Sequence, residues 1–573
     1  MKGNIILYAI AIFIGTWFFI DTWGVYTLLQ QEDVQLFIPE WSEIYHTLQM
    51  PGGACELAAK AIVQYYTSPT TVLLILSTLI TLIGILTYLL LEHIAPRIYH
   101  FFLAFLPIYI LTKAHCSAFY VLDGTIGILL LLLFLFGYTL FTKPKIQLGY
   151  TLFSTLIVYL LCGQLVALYT IGMSLLSFLR STKEWKFLSA AFALGIGLTY
   201  LTLRYTTCIP LTDGIYSQAY QESQLQPDSF MYFIWIRWMF LLMLLLVITW
   251  GMKQLPWKKT GHKIFITLLS AGAAFGFIYL QLPDRETIIN NRMEHLAYLR
   301  QQKDWNGIIE QFREEYPSNY FQHNHLCLAL AQKGQLGDQL FRYNPQGPQT
   351  LLVTWDRRYY TSSLLSDIHY AIGDISLAES YAMEGLTLAK RGGSPRMMQR
   401  LIEISLVREE WALAQKYLNI LERMPAYRTW TKQQQPQLYQ PSNRMLSQQS
   451  DQLFSLLSVD QLWEEYLHRQ QPNPIAQAYL GCSYLLAKEL DKFKQFLLEQ
   501  KGTSLPKHFQ EALLIIAIQE PSMLETLTVD ASTINQFKLF QQDIRKTSKD
   551  NFGLKQLQRK YGDTYWFYYY CKN

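Results

Sequence analysis

Charged side chains stranded in apolar stretches are where this sequence could do chemistry. Asp21, Asp123, Arg204 and Arg237 each interrupt a largely apolar segment. Such a charge costs roughly 2.5–3.5 kcal/mol on insertion scales, so each calls for a functional reason. Just beyond the first apolar run comes Gln30-Gln31-Glu32-Asp33, then Glu40, Glu43 and His46, while Lys113 and His115 precede the run that holds Asp123. A carboxylate can take a proton from a hydroxyl, and partial desolvation raises its pKa toward a working value. A guanidinium matches the bidentate geometry of a phosphate and stabilises charge on a departing oxygen. Glu43 and His46 stand i, i+3 and could share a proton or a metal ion, although a solvated helix face is the preferred reading of that pair. The bland alternative for the apolar-run charges is pairing, Asp21 with Arg204 and Asp123 with Arg237, or snorkelling to the interface.

The elements that must position these groups follow from composition. The chain of 573 residues is 51% hydrophobic and 16% charged, against about 25% charged in soluble domains. The average hides two polymers: residues 1–283 hold 15 Lys/Arg and 12 Asp/Glu, and residues 284–573 hold 33 and 31. A membrane domain followed by a water-soluble one is expected, divided near Pro283. The net charge of +5 is spread without a basic block, so no nucleic-acid partner is expected.

A bilayer-crossing helix needs about 20 mainly apolar residues. Segments near that length lie at 5–28, 70–91, 119–142, 187–207, 229–250 and 264–282, with shorter ones at 98–112, 148–162 and 165–179, which predicts nine spans in the lipid bilayer. Cys162-Gly163-Gln164 is read as a turn between two helices. The first segment lacks a cleavage site and is expected to be retained. With the N-terminus in the cytoplasm, the inner loops carry Lys2, Arg97, Lys143, Lys145, Arg180, Lys183, Lys186, Lys253, Lys258, Lys259 and Lys263, and the outer loops carry Lys60 and Lys113. That asymmetry obeys the positive-inside rule. An odd number of spans places the rear half outside, in the periplasm of a bacterial inner-membrane protein. The four intramembrane charges then lie toward the outer leaflet, which implies a polar cavity opening outward.

The first outer loop, residues 29–69, holds five acids and one lysine. Leu57, Ala58, Ala61, Ile62 and Tyr65 recur at helical spacing, as in a helix lying on the membrane surface. Acids just after the first span, in a large outer loop with surface helices, resemble the type-C membrane glycosyltransferases over roughly residues 1–130. That resemblance implies a cavity receiving a polyprenyl-phosphate sugar. It implies catalytic roles for Asp21, Glu32 and Asp33, and lipid-phosphate contacts from Arg204, Arg237, Lys113 and His115, with Asp123, Glu40, Glu43 and His46 as further candidates. A divalent cation could assist, but no ligand set names one. Gln35-Leu36-Phe37, Pro51-Gly52-Gly53 and Gln64-Tyr65-Tyr66 also look like an uncharacterised family of bacterial polytopic membrane proteins, which brings no activity with it.

From Asp284 amphipathic helices of 12–16 residues take over, so the fold class is all-α throughout. Ala371-Ile372-Gly373-Asp374 with Ala378, Tyr381 and Leu386 is echoed by Ala414, Tyr417, Leu421 and Pro425. Further echoes are Leu480-Gly481-Cys482 with Phe493 and Leu497, and Trp305, Ile308, Phe312 and Pro317. These resemble degenerate tetratricopeptide repeats, which implies a groove for a protein or peptide. A glutamine-rich loop is expected near 429–452, and Tyr565-Trp566-Phe567-Tyr568-Tyr569-Tyr570 is expected to dock on the array. The seven cysteines show no metal spacing, and glycine loops for ATP and a G-x-S-x-G elbow are absent. The leading expectation is a glycosyltransferase of the cell envelope. A non-enzymatic scaffold whose repeats recruit secreted or outer-membrane proteins is the alternative, and a transporter ranks third for want of an internal repeat.

Overall fold

A computed structural model describes residues 2–95, 100–118, 120–179, 192–198, 200–201, 204, 234–254, 260–389, 391–435, 473–499, 504–546 and 551–572. Among them the regular secondary structure is helical, and an isolated parallel bridge joins Gln35 and Arg391.

Packing divides the chain into two units. The first is Met1–Glu294 together with Lys390–Pro395 and Ile420–Lys432, and the second is His295–Ala389, Arg396–Asn419 and Gln433–Asn573. The boundary between these units falls inside the helix Arg285–Gln301, a little beyond the compositional division near Pro283. The reason is local: buried Asn291 accepts the backbone N–H groups of Tyr26 at 3.1 Å and Thr27 at 3.4 Å, which ties the start of that helix to the first unit.

In the first unit, α1 (Lys2–Trp23) gives way at Gly24 to α2 (Val25–Asp33). The segment between α2 and the next long helix contains α3 (Trp41–Gln49) and α4 (Gly53–Val63), the second of them where the spacing of Leu57, Ala58, Ala61 and Ile62 predicts a helix. On α3, Trp41, Tyr45 and Leu48 form an exposed apolar stripe at i, i+4, i+7, the pattern of a helix that lies in an interface. On α4 the buried face is Cys55, Ala59 and Val63, so the expected stripe of Leu57, Ala58, Ala61 and Ile62 is left only partly covered.

Ser68 starts α5 (Pro69–Ile94) with a reciprocal capping box to Thr71 and Pro at the first turn. Then come α6 (His100–Leu103), α7 (Phe105–Ala114), α8 (Leu122–Leu140), α9 (Pro144–Cys162) and α10 (Val166–Leu179). The Ser154 and Tyr169 hydroxyls meet at 2.6 Å across the turn at Gly163, so α9 and α10 fold back on each other as two helices, as expected. Gly163 has φ +55°, and a Cβ there would stand 2.9 Å from the Pro51 carbonyl; only glycine fits the turn without strain.

Five described helices are long and apolar enough to cross a membrane: Ile5–Trp23, Pro69–Ile94, Leu122–Leu140, Lys145–Cys162 and Ile236–Lys253. Ile264–Leu280 joins Arg285–Gln301 at a 65° bend and makes a sixth if the pair is one span. The protein is therefore built as a membrane protein. The expected spans at 98–112 and 165–179 are helices too short to count by length, and that at 187–207 falls largely outside the described residues. Of the five windows Leu122–Leu140 is the most buried, at 67%, against 22% for Ile5–Trp23; α8 is central and α1 peripheral.

The second unit is made of helix hairpins. Tyr359–Ile372 ends at Gly373 with φ +93°, and Asp374 caps Ile375–Leu388 by accepting from Leu377 N–H at 3.0 Å. Ser366 donates to the Ala378 carbonyl at 2.8 Å between the paired helices, and Ala378, Ala382 and Gly385 are the buried small residues at their crossing. Pro474–Ala487 and Leu490–Glu499 form a second pair. The terminal aromatics dock as expected: Tyr565, Trp566, Phe567 and Tyr568 join the core, Trp566 donating to the Glu511 carbonyl at 2.8 Å. Residues 428–434 are helical, correcting that part of the expected loop, and 436–452 lie outside the described residues.

Candidate functional site

The site begins where α2 ends. Its last turn carries Glu32, which is buried, and Asp33, which is half-buried. The chain then extends through Val34, Gln35 and Leu36 and pairs with Arg391: Arg391 N–H donates to Val34 O at 3.2 Å, and Leu36 N–H donates to Arg391 O at 3.0 Å. Gly392, at φ +84°, follows this bridge, and a Cβ on it would press to 3.0 Å from the Leu36 carbonyl. The backbone bridge holds the Arg391 side chain against the first turn of α8. There Nη1 and Nη2 donate to Asp123 Oδ1 and Oδ2, each at 3.0 Å. A carboxylate in the first turn also meets the positive end of the helix dipole.

Glu32 has a different environment. Tyr427 donates its hydroxyl to Oε2 at 2.9 Å, whereas Oε1 is buried with no hydrogen-bond partner among the described residues. Burial, and then the neighbouring Asp33, push the Glu32 carboxyl well above its ordinary pKa, and the Tyr427 hydrogen bond opposes them. A buried carboxyl with one oxygen held and one unclaimed holds its proton more tightly than a surface acid does.

A hydroxyl network adjoins Asp123. Thr125 Oγ1 meets His115 Nε2 at 2.7 Å and the Tyr120 hydroxyl at 3.1 Å, and Gln31 Nε2 donates to the Tyr120 carbonyl at 2.8 Å. Gln35 Nε2 donates to Lys60 O at 3.0 Å, and Lys60 in turn pairs with Glu56 at 2.9 Å.

The structure therefore brings Glu32, Asp33 and Asp123 into one region around Arg391. It corrects several expectations. The partner of Asp123 is Arg391 and not Arg237, because the 390–395 piece enters the first unit beside α2. Asp21 is exposed on α1, and the exposed Arg204 is not paired with it among the described residues; Arg237 is exposed as well. Those three side chains point away from the buried interior, as snorkelling residues do. His115 is fully buried, and burial lowers its pKa to about 3. It is neutral and so supplies no charge to a phosphate. Lys113 is half-buried near the end of α7. Glu40 is exposed and paired with Arg423. Glu43 lies 3.9 Å from Lys60 and His46 is exposed, so the proposed Glu43–His46 pair does not form. Among the described residues no three His, Cys, Asp or Glu side chains converge as metal ligands.

Arg391, Tyr427 and Arg423 are the functional candidates that sequence reasoning missed. The one local signal was Arg391-Gly392-Gly393, a glycine pair between amphipathic helices that marks backbone in an unusual conformation.

A family model described as "Family of unknown function (DUF6057)" matches residues 2–572. Neither a curated protein nor a solved structure matches the chain.

Proposed function

We propose that this chain, which belongs to the DUF6057 family, is a cell-envelope membrane glycosyltransferase. It would move a sugar from a polyprenyl-phosphate donor to a protein or glycan acceptor on the periplasmic side of a bacterial inner membrane. The observation that carries this reading is Glu32: a buried carboxyl just after the first span, with Oε1 unclaimed and its pKa raised. In that role Glu32 takes the proton of the acceptor hydroxyl as its oxygen bonds to the anomeric carbon and the bond from that carbon to the lipid phosphate breaks, the polyprenyl phosphate leaving, while Tyr427 fixes the other carboxyl oxygen. Asp33 keeps the base poised by like-charge repulsion. The surface helices α3 and α4 support the reading further, because an amphiphilic donor needs an interfacial approach, and the open stripe of Trp41, Tyr45 and Leu48 suits one. Hairpins of the second unit, read as tetratricopeptide-like repeats, would hold the acceptor.

The test is the envelope glycoprotein profile of cells carrying Glu32→Gln, with Asp33→Asn and Asp21→Asn alongside. Loss of glycosylated bands in Glu32→Gln, with little change in Asp21→Asn, is the expected result. An unchanged profile for Glu32→Gln rules the enzyme out.

One observation favours a non-enzymatic scaffold instead: Asp123 and Glu40 are already neutralised within the chain, by Arg391 and Arg423. Under that reading Glu32→Gln is silent and a stoichiometric protein partner co-purifies in mild detergent.

A further inference from the structure

We infer that the second unit contains an oxyanion-binding site built by Arg300, Arg396 and Arg400. Arg300 comes from the helix Arg285–Gln301, and Arg396 and Arg400 lie one turn apart on Pro395–Val407. All three converge on Asp367 of Tyr359–Ile372. Arg400 donates to Asp367 Oδ1 through Nε at 3.1 Å and Nη2 at 2.5 Å. Arg396 Nη2 reaches Oδ1 at 3.4 Å and Oδ2 at 3.3 Å, and Arg300 Nη1 lies 3.2 Å from Oδ2. The second carboxylate here is Glu403, which accepts from Arg400 Nη1 at 2.6 Å.

The charges do not balance. Among the described residues three permanent cations face two carboxylates, and the side chains of Arg300, Arg396, Arg400 and Asp367 are all at least nine-tenths buried. The nearby His325 adds no negative charge. It is held neutral by burial, its pKa lowered to about 3, and its Nδ1 faces the Phe321 carbonyl at 2.9 Å. Hydrogen bonding is incomplete as well: among the described residues the buried Arg300 Nε and Arg396 Nε have no hydrogen-bond partner, and Arg300 Nη1 has only its ion-pair contact with Asp367. A desolvated positive charge with unclaimed N–H groups needs an anion. The planar fork of a guanidinium selects one with paired oxygens, a phosphate or a carboxylate. Arg396, at 10% side-chain exposure against 3% for Arg300, is the edge from which the anion enters. The Tyr370 ring, 4.1 Å from the Arg400 guanidinium carbon, holds Arg400 in place while Asp367 keeps the three forks aligned.

The experiment is thermal unfolding of the full-length protein in detergent, in sodium phosphate, sodium acetate and sodium chloride at equal ionic strength. A saturable rise in Tm with phosphate or acetate over chloride is expected, and the stronger of the two identifies the group bound. Arg396→Gln should lose the rise, while Arg313→Gln, which removes an exposed arginine paired with Glu310, should keep it. Should Arg396→Gln fail to fold, Arg396→Lys keeps the charge without the fork and should need more anion for the same rise. Equal Tm values in the three salts overturn the site, as does a full rise retained in the Arg396 variant.

Discussion

Arg391 clasps Asp123 with two parallel hydrogen bonds of 3.0 Å across 268 positions of sequence. The carboxylate is buried at the start of the central helix α8, where a lone charge would be costly. Removing the guanidinium leaves that charge uncompensated. Arg391→Ala is therefore expected to destabilise the protein by about 3–5 kcal/mol. Asp123→Asn in the same chain should recover much of the loss, because an amide carries no charge to strand. A double-mutant cycle on thermal or denaturant unfolding in detergent measures the coupling. Additive losses would mean that the two groups do not act as a pair.

Glu32 predicts an opposite pH signature to an ordinary surface acid. Its pKa in the folded chain is raised by burial and by Asp33, so the folded state binds this proton more tightly than the unfolded state does. The stability it contributes is greatest below its unfolded value of about 4.3 and falls as pH rises through the folded pKa. Glu32→Gln removes that loss. The variant should have a Tm above wild type at pH 7 and 8, and the gap should close near pH 4. A gap independent of pH would show that Glu32 is not a raised carboxyl.

These two sites show what the sequence could and could not disclose. Glu32, Asp33 and Asp123 were legible because a charge at the border of an apolar run is conspicuous whatever surrounds it. The helix α4 was legible as well, from the helical spacing of Leu57, Ala58, Ala61 and Ile62. Arg391 and Tyr427 were not, since charged and aromatic residues are ordinary in a water-soluble stretch and their partners lie 268 and 395 positions away. Asp21 misled for the complementary reason: apolar context says that a charge needs an outlet, and an exposed face of α1 provides one. The hairpin turns of the second unit were readable from Gly373-Asp374, where a left-handed cap is followed by an N-cap.

Cys55 and Cys162 provide a direct check on how the loop that carries α4 is seated. Their sulfurs are 3.8 Å apart, both buried, and the neighbouring Gly52 N–H donates to the Leu160 carbonyl at 3.1 Å. Treatment with copper phenanthroline should therefore link the peptides that contain them, while Cys116 stays available to alkylation after denaturation. Mass mapping of a non-reducing digest reads the outcome. If both thiols alkylate fully after oxidation, α4 does not rest on the end of α9.

Asp367 predicts the reverse pH trend from Glu32. Burial acts to raise its pKa, but Arg396, Arg400 and Arg300 together hold it well below the usual carboxylate range. A depressed pKa contributes stability above the unfolded value of about 3.9 and loses it as pH falls through the folded one. At neutral pH, Asp367→Asn should cost about 3–5 kcal/mol, because three buried guanidiniums are left facing one remaining carboxylate. That cost should shrink as pH is lowered below about 4, where the unfolded wild-type chain begins to take up a proton that the folded chain still refuses. Phosphate should raise the Tm of Asp367→Asn by more than it raises that of wild type, since the variant has one more cation uncompensated. Unfolding curves of both proteins across pH 3–8, with and without phosphate, test each step; a variant as stable as wild type at pH 7 would show that Asp367 does not hold the arginines together.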